Sequence, residues 1–128
     1  MSNNIKAVPT HDYHAVAASA GNYVEGLRTG SANTLAEAFH PDAVMYGYLN
    51  GLLLGGPIEN LYTFVETNGD APDSVARVDI LAITPTTAVV RVDMEKDAIG
   101  SDYNDYLLMI KIEREWKVIA KVFHQFSG

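Results

Sequence analysis

Four side chains able to move or donate a proton stand where their spacing turns them toward apolar surroundings: Tyr23, Tyr62, Tyr106 and His124. Tyr23 belongs to a stripe that recurs at three and four residues (Val16, Ala20, Val24, Leu27), and Tyr62 to a second one with Ile58, Leu61 and Val65. Tyr106 and His124 fall in segments that alternate with period two. An imidazole titrates near neutrality and a phenol donates well in a dry site. Tyr23 and His124 converging on one apolar cavity could therefore polarise a carbonyl and shift a proton. The same residue types also position ligands, or fill a core with one hydrogen bond satisfied.

The other candidates are weaker. His11 and His14, three apart, share a helix face but lack a third ligand nearby in sequence, so no metal site is expected. His40, between Phe39 and Pro41, suits bonding to backbone groups at a helix end. Asp93 shares a strand face with Arg91 and Glu95, the pattern of a solvated surface or interface rim. The alternation leaves open whether Asp42 and Asp105 face the cavity or solvent. There is no cysteine, hence no thiolate nucleophile or disulfide, and no nucleophile elbow, phosphate loop or dinucleotide glycine pattern. No cofactor is implied.

The elements that must position these residues can be read in order. Residues 1–10 are an unpatterned tail, and residues 11–128 suffice for one domain with its own core. A helix over His11–Arg28, with Thr10 or Asp12 as cap, ends at Gly30. A short helix over Ser31–Phe39 stops at His40-Pro41-Asp42, because a residue before proline is pushed out of helical geometry. Ala43–Leu49 and Leu52–Leu54 form a hairpin across Asn50-Gly51, a two-residue turn signal, although the register that decides which side chains look inward stays open. A third helix starts at Pro57. Strands follow over Val75–Thr84, Thr87–Glu95, Tyr103–Glu113 and from Trp116 to Phe126.

In the last strand Trp116, Val118, Ala120, Val122 and His124 share one face by simple alternation, and Lys117, Ile119, Lys121, Phe123 and Gln125 the other. The strand before it is apolar on both faces, with Tyr106, Leu108 and Ile110 assigned inward and Leu107 and Met109 outward. A strand apolar on both sides must be covered twice, and one helical layer covers one. A homodimer through the outer face (Leu107, Met109, Ile119, Phe123) is therefore expected. The net charge of −7, from 16 acidic and 9 basic residues, disfavours nucleic acid. Lys111, Arg114, Lys117 and Lys121 read as a solvated sheet face. No apolar leader and no membrane-spanning run is visible, so no membrane partner and a cytoplasmic location are expected.

Phe39-His40-Pro41-Asp42-Ala43-Val44 before the first hairpin and Trp116-Lys117-Val118-Ile119 opening the last strand resemble the nuclear transport factor 2-like superfamily, which includes the SnoaL-like and ketosteroid-isomerase-like proteins. The closing Trp116–His124 segment is most similar to the group of small bacterial proteins called putative lumazine-binding. The resemblance implies an α+β fold, a cone-shaped curved antiparallel sheet with three N-terminal helices packed on its concave face. It also implies a cavity lined by Tyr23, Leu27, Tyr62, Val90, Val92, Tyr106, Leu108, Ile110, Trp116 and His124. The superfamily's ketosteroid isomerases place an oxyanion-binding tyrosine at Tyr23. Their general base falls at Gly47 and their second oxyanion donor at Leu108, so two of three roles have no acid here. The leading expectation is a small-molecule-binding protein with an apolar or aromatic ligand in the cone. The alternatives are a cofactor-independent isomerase, cyclase or dehydratase using Tyr23 and His124 on a carbonyl substrate, and a dimeric interaction domain.

Overall fold

A computed structural model describes residues 7–126; the first six residues of the expected tail and the last two of the expected domain lie outside them. The elements run α1 (Thr10–Thr29), α2 (Ala32–Ala38), β1 (Phe39–Leu49), β2 (Leu52–Pro57), α3 (Glu59–Asn68), β3 (Val75–Ile83), β4 (Thr87–Glu95), β5 (Asp102–Ile112) and β6 (Glu115–Phe126). The strands form one curved, open sheet in the order β2-β1-β6-β5-β4-β3. All neighbours are antiparallel except β1 and β6, which run parallel, so the sheet is mixed rather than antiparallel throughout. No helix among the described residues is long and apolar enough to cross a membrane.

Local chemistry sets the element ends. Gly30 takes the left-handed conformation and closes α1 with its N–H on the Gly26 carbonyl. Ser31 caps α2 by accepting from Thr34 N at 3.1 Å. Pro9, not Thr10 or Asp12, occupies the cap position of α1 and leaves it without a side-chain cap. Proline at residue 57 ends β2 instead of starting a helix, and α3 begins two residues later. Asn50 and Gly51, both at positive φ, make the tight β1–β2 turn that the dipeptide predicts.

Val16, Ala20 and Tyr23 of α1, Leu35 of α2 and Leu61 and Val65 of α3 pack on the inner sheet face, which carries Met45, Val90, Val92, Leu107, Met109, Trp116 and Val118. The face of β5 is the reverse of the expected one. Leu107 and Met109 are buried in the core, whereas Tyr106 and Leu108 are about two-fifths exposed on the outer face. In β6 the pairing shifts between Leu108↔Ala120 and Met109↔Val118, so Ile119 is an extra residue in the ladder. This β-bulge inverts the alternation beyond it. Trp116 and Val118 point inward as expected, but past the bulge Lys121 and Phe123 are buried while Val122 and His124 face out.

Candidate functional site

A small apolar cavity of about 50 Å³ lies between α1, α3 and the inner sheet face toward the end of β6. Its wall is mainly Leu27, Met45, Leu54, Leu61, Phe64, Val65, Met94 and Phe123. Into this wall are set Tyr23 of α1, Tyr103 and Asp105 of β5, Lys121 of β6, and Asp97 of the β4–β5 loop.

Asp105 and Tyr23 form the centre. They are 2% and 1% exposed, and the Tyr23 hydroxyl donates a hydrogen bond to Asp105 Oδ2. Asp105 Oδ1 has no partner. Burial pushes the Asp105 carboxyl above the usual range, against the opposing pull of the Lys121 charge and the Tyr23 hydrogen bond. Burial, reinforced by the Asp105 charge, pushes the Tyr23 phenol far up, so it remains a donor. Tyr23 is steadied by an edge-on contact with Phe39, ring centroids 5.8 Å apart.

Lys121 is 7% exposed, a rare burial for a lysine. Its Nζ stands 5.0 Å from the Tyr23 ring centroid and 5.2 Å from that of Phe123, a cation–π seat. Among the described residues it joins no ion pair and no hydrogen bond. Burial draws its amine below the ordinary lysine range, with the Asp105 charge pulling the other way. The expectation that Lys121 is solvated is thus overturned by the bulge. Tyr103 is buried beside Phe123, ring centroids 6.1 Å apart, and burial, together with Asp97 near its hydroxyl, raises it above the usual phenol range. Asp97 is occupied: its Oδ1 accepts from the backbone of Ile99 and Ser101 and shapes the loop at the cavity's rim.

The match to the family described as putative lumazine-binding covers residues 11–124. The chain belongs to that family. An aldolase, FrzH, of Cladobotryum sp is 39% identical over 121 residues, which is 94% of this chain and 97% of the relative. Two solved structures share the fold at a TM-score of 0.87 each. One is an NTF2-like protein of unknown function from Shewanella baltica OS155, with 25% identity over 96% of this chain and all of the other. The second is an NTF2-like protein of unknown function from Methylobacillus flagellatus KT, with 29% identity over 94% of this chain and 96% of the other. Membership in the lumazine-binding family and these neighbours fix the fold as the nuclear transport factor 2-like cone.

In this member of the lumazine-binding family the site differs from the one expected. Of the ten residues expected to line the cavity, Tyr23 and Leu27 do so. Tyr62 is half-buried against the core beside the lining, and Val90 and Val92 are packed within the core. Trp116 lies at the far end of α1, where its indole N–H donates to Asp12 Oδ1 at 3.3 Å. Tyr106 and Leu108 are on the opposite face, with Ile110 beside them on β5 and only half-buried. His124 is exposed there too, its ring edge-on to Phe126 at 4.8 Å, so it does not share a cavity with Tyr23.

Two earlier correspondences also change. Gly47 faces inward, but a Cβ there would lie 2.5 Å from the Phe123 carbonyl oxygen, so no acid fits. Leu108 points outward, and the inward acid of the same strand is Asp105. Asp42 is exposed, with its N–H donating to His40 Nδ1 at 3.0 Å, the backbone role expected of that histidine. His11 and His14 are exposed on α1.

Sequence reasoning left the facing of Asp105 open and missed Lys121. A signal existed for Asp105: Tyr103, Asp105, Leu107 and Met109 alternate as one face, and one acid within such a face is a candidate buried group. Nothing in the sequence marks the bulge that turns Lys121 inward.

Proposed function

We propose that the protein is a cofactor-independent enzyme that enolises a small, largely apolar carbonyl compound and carries it through aldol-type carbon–carbon chemistry in the cavity. The observation that supports this reading is the buried Tyr23–Asp105 hydrogen bond beside an unpaired Lys121 in an otherwise apolar wall. A site that only held an apolar molecule would gain nothing from an acid and an amine buried without an ion pair, since each costs desolvation. Shifted titratable groups converging on a cavity are what proton chemistry needs. Tyr23 has one proton to donate. A carbonyl oxygen that replaces Asp105 as its acceptor is polarised and frees the carboxylate, already raised by burial, to take the α-proton. The relative named aldolase supports the same class.

Aldehyde and ketone pairs of moderate size, and β-hydroxy ketones for the reverse direction, test this by product analysis. Asp105→Asn should lower the rate by about a hundredfold or more, and His124→Gln should leave it within about twofold. The opposite pattern would sink the assignment. If the wild-type protein accelerates none of these reactions, the plain small-molecule-binding reading takes its place.

We also infer a homodimer across the outer sheet face. Tyr46, Tyr48, Tyr106, Leu108, Ile119 and Val122 are exposed there together. A contiguous apolar surface of this kind on a small domain suits a second copy. The face differs from the expected one in composition: of the four residues first assigned to it, Ile119 alone lies on it, and Leu107, Met109 and Phe123 are buried inside.

A further inference from the structure

We propose that Lys121 is a covalent nucleophile that binds the carbonyl substrate as an imine. The inference rests on the carbonyl reading above and adds to it the means by which the substrate is held and activated. Three features of the geometry carry it. The amine is nine-tenths buried in the cavity wall, it has no carboxylate or backbone partner to hold it as a structural charge, and a proton-handling pair stands beside it. A structural lysine would be paired or would extend its head into water. Here the head rests over the Tyr23 and Phe123 rings, all three residues lining the same cavity.

Burial draws the amine toward its neutral form and so raises the share of it that carries a free lone pair. The step balances without any oxidant or reductant. The Nζ lone pair forms a bond to the carbonyl carbon, the C=O π pair moves to oxygen, and that oxygen takes a proton from Tyr23 or protonated Asp105. The nitrogen gives a proton to the carboxylate, and the hydroxyl leaves as water after a second proton transfer, giving the iminium. Asp105 then removes an α-proton to form the enamine; the enamine carbon bonds to the acceptor aldehyde carbon, the aldehyde π pair moves to its oxygen, and Asp105 returns its proton to that oxygen. Hydrolysis of the resulting iminium by one water returns the free amine. Asp105 Oδ1, which has no partner, is the oxygen available for the α-proton.

The experiment is reductive trapping. The full chain is incubated with propanal, and separately with cyclohexanone, in cyanoborohydride at neutral pH, and the modified lysines are located by peptide mass spectrometry. Lys121 should be alkylated roughly tenfold faster than exposed Lys96, the reverse of what accessibility alone dictates. Lys121→Arg, which keeps the positive charge, and Lys121→Met, which keeps the stem, should both lose the fast label and the aldol product. Trapping is read on the wild-type protein, so a variant that fails to fold does not decide the matter. Lys121 labelled no faster than Lys96 overturns the proposal. If that happens while the wild-type protein still enolises through Asp105, the imine falls and the acid–base reading stands. If neither labelling nor enolisation occurs, both fall.

Discussion

Replacing Tyr23 by Phe removes one oxygen and leaves the ring's packing on Phe39 and under Lys121 intact. What it takes away is the one side-chain hydrogen bond that Asp105 makes among the described residues, where Oδ1 has no partner. Both groups are almost fully buried, so water does not replace the lost donor. A hydrogen bond to a buried charged group is worth about 2 kcal/mol, and at this chain length about 4 °C of Tm corresponds to each kcal/mol, so a fall of roughly 8 °C is expected near neutral pH. The loss should depend on pH in a definite sense. Burial raises the folded-state pKa of Asp105 above its unfolded value, so this group contributes stability that is fully present below the unfolded pKa and lost as pH rises through the folded one. Tyr23 holds that folded pKa down; without it burial drives the carboxyl further up, and more stability is lost at the alkaline end. The Tyr23→Phe penalty should therefore grow from pH 5 to pH 8, measured by thermal denaturation of both proteins across that range. In an Asp105→Asn background the same replacement should cost about 1 kcal/mol less. A penalty under about 0.5 kcal/mol, or one that does not change with pH, would refute the buried pair as described.

Three further outcomes follow from the same geometry. Gly47→Ala should destabilise by about 1–3 kcal/mol in urea unfolding, because the new Cβ would lie 2.5 Å from a main-chain oxygen that cannot move aside. Arg114→Gly should stabilise by about 0.5–1 kcal/mol, since Glu113 and Arg114 form the β5–β6 turn with φ of 50° and 72°, a region where glycine is unstrained. Val122→Glu, on the exposed outer face, should turn a dimer into a monomer by light scattering; a monomeric wild-type protein at the same micromolar concentration would contradict the second-copy reading.

Much of the fold is legible because its signals are local. The α1 stripe, Gly30, Ser31 and Asn50-Gly51 each act on their immediate neighbours, and the boundaries they set lie within a residue or two of the expected places, whereas β1 starts at Phe39 rather than Ala43 and β2 runs on to Pro57 rather than Leu54, where no such local signal stands. The face of a strand is a different kind of information. β4 is apolar on one side, and Ala88, Val90, Val92 and Met94 go inward as their pattern dictates. β5 is apolar on both sides in its middle, so hydrophobicity does not choose between Leu107 and Leu108. In β6 one extra residue at Ile119 exchanges the faces, and that exchange moves His124 out of the cavity and Lys121 into it. Lysine's preference for water then made Lys121 the least obvious member of the site. Tyr23 was found because it sits on a helix, whose 3.6-residue period has no bulge to invert it.

In the proposed reaction Asp105, with Tyr23, takes a proton from the carbon next to a carbonyl. Solvent-deuterium exchange at the α-position of cyclohexanone and propanal, followed by proton NMR with the wild-type protein, Asp105→Asn and His124→Gln, measures that step before any carbon–carbon bond forms. Exchange well above the buffer rate is expected with the wild-type and His124→Gln proteins, and a return to the buffer rate with Asp105→Asn. Exchange that survives Asp105→Asn and disappears in His124→Gln would contradict that role of Asp105.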